Sequence, residues 1–252
     1  MIFKLCHLDT IGSTAMKLFI SFFGRILPKS VYEILKRRAL IILIKFGYSN
    51  SLERMDKMIL ELFESMEGGF FIEVGAADGV DHSNTLLLEK KYNWKGLLIE
   101  ARKSDYILCK KNRKNSIVEN YILTSFEDKT AKLKISEEGL KSRIIVDDEK
   151  RNYSDHFQNV SYKKISTDAT PNTTLTEVLR KHSIDNVDIM SLDVEGYERK
   201  VLEGYDEKTK VIDYLLVETN LEEFLSFAES KGWKFIGYMA GGTNPNYLFK
   251  LR

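Results

Sequence analysis

The sequence predicts an α/β protein: a doubly wound, mostly parallel sheet with a helical segment on its N-terminal side. Three observations carry this. From residue 70 onward, short apolar β-prone runs alternate with helical patterns, and strands separated by helices pair in parallel. The last two runs, "WKFIGYM" and "NYLFKLR", have only "AGGTNP" between them, too little chain for a crossover, so they pair antiparallel. The first run, "FFIEV", breaks at once into "GAADGVD", a change of character expected where a strand turns into a helix.

The chain has 252 residues, 43% hydrophobic and 30% charged, with net charge +1. That suffices for a sizeable core and argues against general disorder. The balance hides an asymmetry: residues 1–50 carry +6 and residues 51–252 carry −5. We therefore divide the chain into a basic, apolar helical segment (1–50) and a main domain (51–252). Cys6 and Cys109 show no metal-binding spacing and read as reduced thiols of a cytoplasmic protein. No apolar run approaches the ~18 residues of a spanning helix. "AMKLFISFFGRIL" resembles the apolar core of a signal peptide, but Arg25 interrupts it and no small-residue cleavage site follows.

In order along the chain, Met16, Phe19, Ile20, Phe23, Ile26 and Leu27 fall at helical spacing before Pro28. "SVYEILKRRALIILIKFGY" follows, with basic and apolar clusters interleaved. It is either a cap packed on the main domain or a peripheral element lying on an anionic membrane at its inner face. Residues 52–66 form a helix with Met55, Ile59, Leu62, Phe63 and Met66 on one face, ended by "EGG". Then come strand "FFIEV", a helix of about three turns in "SNTLLLEKKYN", strand "KGLLIEA", helix "SDYILCKKNRKN" and strand "SIVENYILTS". A polar interval over 126–165 holds an extra strand, "TAKLKIS", and the pair Asp147–Asp148, read as a solvated turn. "TTLTEVLRKHS" opens with a capping box, Thr174 to Glu177. "VDIMSLDV" and "VIDYLLVETN" are strands, and "LEEFLSFAESKG" is the helix before the final pair.

In open parallel sheets, ligands bind beyond the carboxyl ends of the strands. Gly75 and Gly79 let the backbone bend there and come close to a ligand. Glu100 ends the second strand, where a carboxylate can accept hydrogen bonds from both hydroxyls of a ribose. A dinucleotide would need the glycine turn free for its pyrophosphate. Here Asp78 and Asp81 occupy it, which suits a ligand carrying an ammonium and a sulfonium, namely S-adenosylmethionine.

"FFIEVGAADGVDHSNTLLLE", "WKGLLIEA", "KKNR", "DIMSLDVEGYERKVLEG" and "LLVETN" together resemble the FkbM-type methyltransferases, a branch of the class I, Rossmann-like, S-adenosylmethionine-dependent enzymes. The likeness spans about residues 68–250 and leaves residues 1–50 uncovered. It implies a seven-stranded sheet with a reversed last strand, and O-methylation of sugars, glycoconjugates or other hydroxyl-bearing compounds, as in polysaccharide biosynthesis. It also implies that Glu73, Gly75, Ala77, Asp78 and Gly79 form the loop at the methionine end, with Glu100 and Ala101 at the ribose. Ser83 and Asn84 either join the cofactor site or cap the following helix. The chain departs from the family in Ala77, where many class I enzymes have glycine, and in "EARKS", where E-P-N-P is common.

Methyl transfer is an in-line displacement, accelerated by alignment and by a base for the hydroxyl proton. Asp193 and Glu195 follow the fourth strand, beside the first. Asp193 serves as base or as anchor of the cofactor's amino end, and Glu195 serves in chemistry or caps the helix near Gly196. His82 is a further candidate base. Asp193, Glu218 and Asn220 could hold one Mg²⁺ through oxygen ligands; a metal-free site is the favoured reading. Two other functions stay open: a silent, membrane-associated adaptor with this fold, and an NAD-binding oxidoreductase, which the acid-filled turn disfavours. Nucleic-acid binding is not expected, because the main domain is net acidic and lacks a basic stripe. Nothing in the chain indicates an oligomeric state.

Overall fold

The computed structural model describes residues 26–130, 133–138, 141–146, 170–209, 211–240 and 245–251. The apolar run around Met16–Phe23, Cys6, Asp147–Asp148 and most of the last connection lie outside these. The chain falls into two compact units, one of Met1–Gly69 with Gly79–Lys95, the other of Phe70–Asp78 with Gly96–Arg252.

The first unit is helical. Helix α1 (Lys29–Lys45) starts after Pro28, whose carbonyl accepts the Tyr32 N–H at 3.0 Å. It buries Leu40 and Ile44 and keeps Lys45 in its last turn, where a cation favours the helix dipole. A 3₁₀ turn (Leu52–Arg54) precedes α2 (Met55–Leu62). The single helix predicted over 52–66 is shortened at both ends by left-handed residues, Glu53 and Arg54 before it and Glu64 and Ser65 after it. Phe63 therefore leaves the helix and packs edge-on to Trp94, with ring centroids 5.2 Å apart, while the Trp94 indole donates to the Met66 carbonyl at 2.9 Å. Helix α3 (Leu86–Lys91), expected to run three turns, is six residues long and contacts both α1 and α2. It buries Leu86, Leu87 and Leu88 in succession.

The second unit holds the sheet. Its strands are β1 (Phe70–Val74), β2 (Lys95–Ile99), β3 (Ile117–Glu119), β8 (Val187–Leu192), β9 (Ile212–Glu218), β10 (Trp233–Ala240) and β11 (Asn246–Leu251), in the order β10-β11-β9-β8-β1-β2-β3. β1 lies parallel to β8, with Ile72 opposite Met190 and Val74 opposite Leu192; β8 is parallel to β9 and β2 to β3. β11 runs antiparallel to both β9 and β10, as the short last connection requires. Ile72, Val74, Leu97, Ile99, Met190, Leu192, Leu215 and Val217 build the core, closed by Phe224, Trp233 and Phe249. The central strands β1, β2 and β8 are buried on both faces, which is why they read as unbroken apolar runs.

Helix α4 (Lys103–Asn112) follows β2, and α5 (Leu175–Lys181) carries the expected box: Glu177 N–H donates to Thr174 Oγ1 at 3.2 Å. Helix α6 (Glu198–Glu203) follows β8, and α7 (Leu221–Ser230) follows β9. One expectation needs correcting. "SIVENYILTS" is not a single strand: after β3 the chain breaks at Asn120, and β4 (Ile122–Leu123) pairs with β7 (Asn172–Thr173) in a separate ladder. The extra strand of the polar interval appears as β5 (Leu133–Glu138), in a hairpin with β6 (Lys141–Val146).

Candidate functional site

Within the second unit, the ends of β1, β2 and β8 are joined through the four-residue stretch Gly75–Asp78. The N–H groups of Gly75 and Ala76 both donate to the Ile99 carbonyl, at 3.0 and 3.2 Å. The Ala77 N–H donates to Glu100 Oε2 at 2.8 Å. Gly75 has φ +83, and a Cβ on it would lie 1.9 Å from the Asp193 carbonyl oxygen. Its glycine is thus required by the neighbouring strand end. The Asp193 N–H donates back to the Val74 carbonyl at 3.1 Å. One short loop so fixes Glu100 on one side and Asp193 on the other.

Glu100 is buried, and burial pushes its carboxyl up to about 7, against the opposing donation of the Arg102 and Ala77 amides. Asn120 secures this strand end from β3: its amide donates to the carbonyls of Glu100 and Ala101 at 2.8 and 2.9 Å. Thr170 Oγ1 adds a third bond, to Ala101 O at 2.8 Å. Glu73, one residue before the end of β1, is buried with Arg113, Nη1 to Oε2 3.5 Å. Arg113 is wholly buried and lies over the Phe71 ring at 5.4 Å. Asp78 is buried, and its carbonyl accepts from the Asn112 amide at 2.8 Å.

Beyond β8, Asp193 is exposed and Glu195 half-buried in a left-handed conformation, φ 54. The helix that follows has Tyr197 as its N-cap and no side-chain cap hydrogen bond; the turn before it is held by another acid. Glu198 Oε1 accepts the N–H groups of Val194 and Gly196, at 3.2 and 2.9 Å. Glu198 is buried, which raises its carboxyl to about 7. The turn Asp193–Gly196 is therefore held from inside by Glu198.

Glu218 ends β9, and Asn220 caps α7, with Oδ1 accepting the Glu222 N–H at 3.1 Å. The Asn220 oxygen proposed for a metal is thus committed to the helix. Among the described residues, no group of three or more His, Cys, Asp or Glu side chains is arranged to hold a metal ion.

The remaining predicted residues, Gly79, His82, Ser83 and Asn84, belong to the first unit. Ser83 Oγ accepts the N–H groups of Thr85 and Leu86, at 3.3 and 3.2 Å, opening α3 as a capping side chain. Asn84 Oδ1 accepts the Ser51 hydroxyl at 2.6 Å. His82 is exposed with φ 61, its backbone bridged to Ser51. Asp81, read as part of the acidic turn, pairs with Arg37 at 3.4 Å.

Arg113, Asn120 and Glu198 had no assigned role in the sequence reading, although Arg113 stands in the "KKNR" block and Glu198 in the block after β8. An acid two residues beyond a glycine turn is the signal that points to Glu198.

Residues 73–239 match the methyltransferase FkbM domain. The chain belongs to the FkbM methyltransferase family. With that family and this sheet order, it is a methyltransferase of the S-adenosylmethionine-dependent class I fold. Among solved structures it is similar to the METTL16 MTase domain, with 11% identity over 85% of this chain and 78% of that one, TM-score 0.48. It is also similar to a TehB-like SAM-dependent methyltransferase from Corynebacterium glutamicum, with 8% identity over 89% and 100%, TM-score 0.44. A third is M. capricolum TrmK in complex with S-adenosyl-homocysteine, with 8% identity over 77% and 67%, TM-score 0.39. No curated protein sequence matches the chain.

Proposed function

We propose that this methyltransferase uses S-adenosylmethionine to methylate a hydroxyl of a sugar or glycoconjugate, with Asp193 taking the hydroxyl proton. The observation that carries the cofactor reading is the state of the loop amides. The N–H groups of Gly75, Ala76 and Ala77 are all given to Ile99 and Glu100. A pyrophosphate needs such amides for itself, so the NAD alternative loses its usual cradle. What this end of the sheet offers instead is carboxylate: Asp78, Glu100 and Asp193, with Glu73 beside them paired to Arg113. Those acceptors fit the hydroxyls of a ribose and a cationic methionine end.

The bound cofactor would supply an electrophilic methyl; the chain's own residues position and deprotonate the acceptor. Asp193 is the exposed acid at the end of β8, held by the Glu198-braced turn, and so can meet a hydroxyl from solvent. A polar acceptor is favoured by an open recess of about 370 Å³ beside Asn120, lined also by Lys103, Tyr106, Glu119, Tyr121 and Thr170. Both tyrosine rings carry lysines, Lys103 over Tyr106 at 4.9 Å and Lys181 over Tyr121 at 5.2 Å. Such walls suit a hydroxylated ring better than an alkyl chain. A metal-free reaction remains our reading, since Asn220 is committed elsewhere.

The test is Asp193→Asn assayed with labelled cofactor across a panel of saccharide acceptors. Turnover should fall about a hundredfold or more, the scale of a lost general base, while cofactor affinity measured by calorimetry holds. A folded, fully active variant removes Asp193 from the chemistry. Tight NAD binding with no S-adenosylmethionine binding removes the cofactor reading.

A further inference from the structure

Helix α1 is apolar on two opposite sides. Leu40 and Ile44 are buried against its own unit, and Arg37 pairs with Asp81 of that unit. Turned away from these, Val31, Ile34, Leu35 and Ile42 recur at intervals of three, one and seven residues, one stripe of a 3.6-residue helix. They are 42, 56, 37 and 56% exposed, and Phe46, directly after the helix, is 72% exposed. Arg38 and Lys45, both exposed, lie at the same helical phase as the stripe, and Lys29 is exposed at the start. The helix holds five cations against one acid, Glu33. A soluble surface has no use for five large apolar side chains in a row, and contiguous patches of this kind mark interaction sites.

We propose that this outer face of α1 is a docking surface for an anionic lipid bilayer. The choice of occupant follows from charge. A protein partner burying this stripe would have to accommodate Arg38 and Lys45 in an apolar interface, at a desolvation cost. A bilayer takes both parts: the apolar side chains enter the acyl boundary, and the two cations reach back along their aliphatic stems to lipid phosphates. Phe46 ends the stripe at the C-terminal end of the helix, and Lys29 and Lys45 mark its two ends. Leu40 and Ile44, needed to hold α1 on its unit, blur the one-sided pattern that an interfacial helix usually shows.

The experiment is cosedimentation of the full chain with vesicles of phosphatidylcholine alone and of phosphatidylcholine mixed with phosphatidylglycerol. The expected result is binding to the anionic vesicles, weakened by salt, and little to the neutral ones. The double substitution Ile42→Ser with Phe46→Ser should lower the anionic partition at least tenfold. Arg38→Glu with Lys45→Glu should lower it by more than the roughly fivefold per cation of surface attraction. All four positions are exposed, so circular dichroism and cofactor binding should be unchanged. Failure of the wild-type chain to bind anionic vesicles overturns the proposal. So does wild-type binding that both double variants retain. A concentration-dependent dimer in sedimentation velocity, abolished by the Ile42→Ser, Phe46→Ser pair, would assign the face to a second copy and overturn it equally.

Discussion

Gly75→Ala is the sharpest probe of the loop that ties the site together. At φ +83, an alanine costs about 1–2 kcal/mol in backbone strain alone. Its Cβ would sit 1.9 Å from the Asp193 carbonyl oxygen and 3.0 Å from that carbonyl carbon. Both are backbone atoms and cannot swing aside. A close C···O contact is about 3.3 Å, so the loop and the end of β8 must part by about 1.4 Å. That movement breaks the 3.1 Å bond from Asp193 N–H to the Val74 carbonyl, worth about 0.5–1.5 kcal/mol. The summed loss is about 1.5–3.5 kcal/mol, and Asp193 is displaced from its place beside Glu100's loop. Gly196→Ala is the control: φ is +97, but nothing lies within 4 Å of its Cβ, so only the strain of about 1–2 kcal/mol applies. Urea unfolding of both variants with equal slopes, together with cofactor calorimetry, makes the comparison. If Gly75→Ala is no less stable than Gly196→Ala and binds cofactor like wild type, the loop does not pin Asp193.

Two further expectations concern buried charge. Arg113→Met removes the wholly buried partner of Glu73 and should cost about 3–5 kcal/mol, as breaking a buried pair does; a loss under about 1 kcal/mol in urea would show that Glu73 is satisfied without it. Burial raises Glu100 and Glu198 to about 7 and Asp56 to about 6, so the folded chain keeps protons that the unfolded chain releases near pH 4.3. The native state then binds more protons than the unfolded one, and stability declines as pH rises from about 4.5 to 7, by up to about 1.4 kcal/mol per unit for each group. Glu119 and Glu177, shifted downward, act in the opposite sense but only below that window. Urea midpoints at about pH 5 and pH 8 check this, and Glu198→Gln should flatten part of the slope; a level profile in wild type would contradict it.

Much of the second unit was legible because its central strands are buried on both faces and its connections are local. Thr174 and Glu177 announce a helix start within four residues, and the chain between β10 and β11 is too short for anything but an antiparallel pair. The first unit was harder. Glu53, Arg54, Glu64 and Ser65 adopt left-handed backbone without being glycine or asparagine, so nothing in the sequence warns that the helix over 52–66 must shorten. At the site, acids at strand ends were readable from position alone. Their supports were not: Arg113 is forty residues from Glu73, and Asn120 twenty from Glu100. Such pairings depend on strand order, which a local pattern does not contain. Glu198 was hidden differently, since Glu195 stood closer to the turn and had the same chemistry.

The way these acids are held bears on what the site can bind. Glu100 takes backbone amides from Ala77 and Arg102, and Glu198 takes those of Val194 and Gly196. An amide donor stabilises a carboxylate without cancelling its charge, whereas a guanidinium, as Arg113 provides for Glu73, largely neutralises it. Glu100 and Glu198 are thus held by amides rather than by a paired guanidinium, and burial delays their ionisation to about pH 7. A ligand bringing positive charge would favour their ionised forms, and an anionic ligand would oppose them. The same arrangement that makes folding less favourable above pH 7 thus makes cation binding more favourable there, which is the trade expected of a functional site rather than of a purely structural turn.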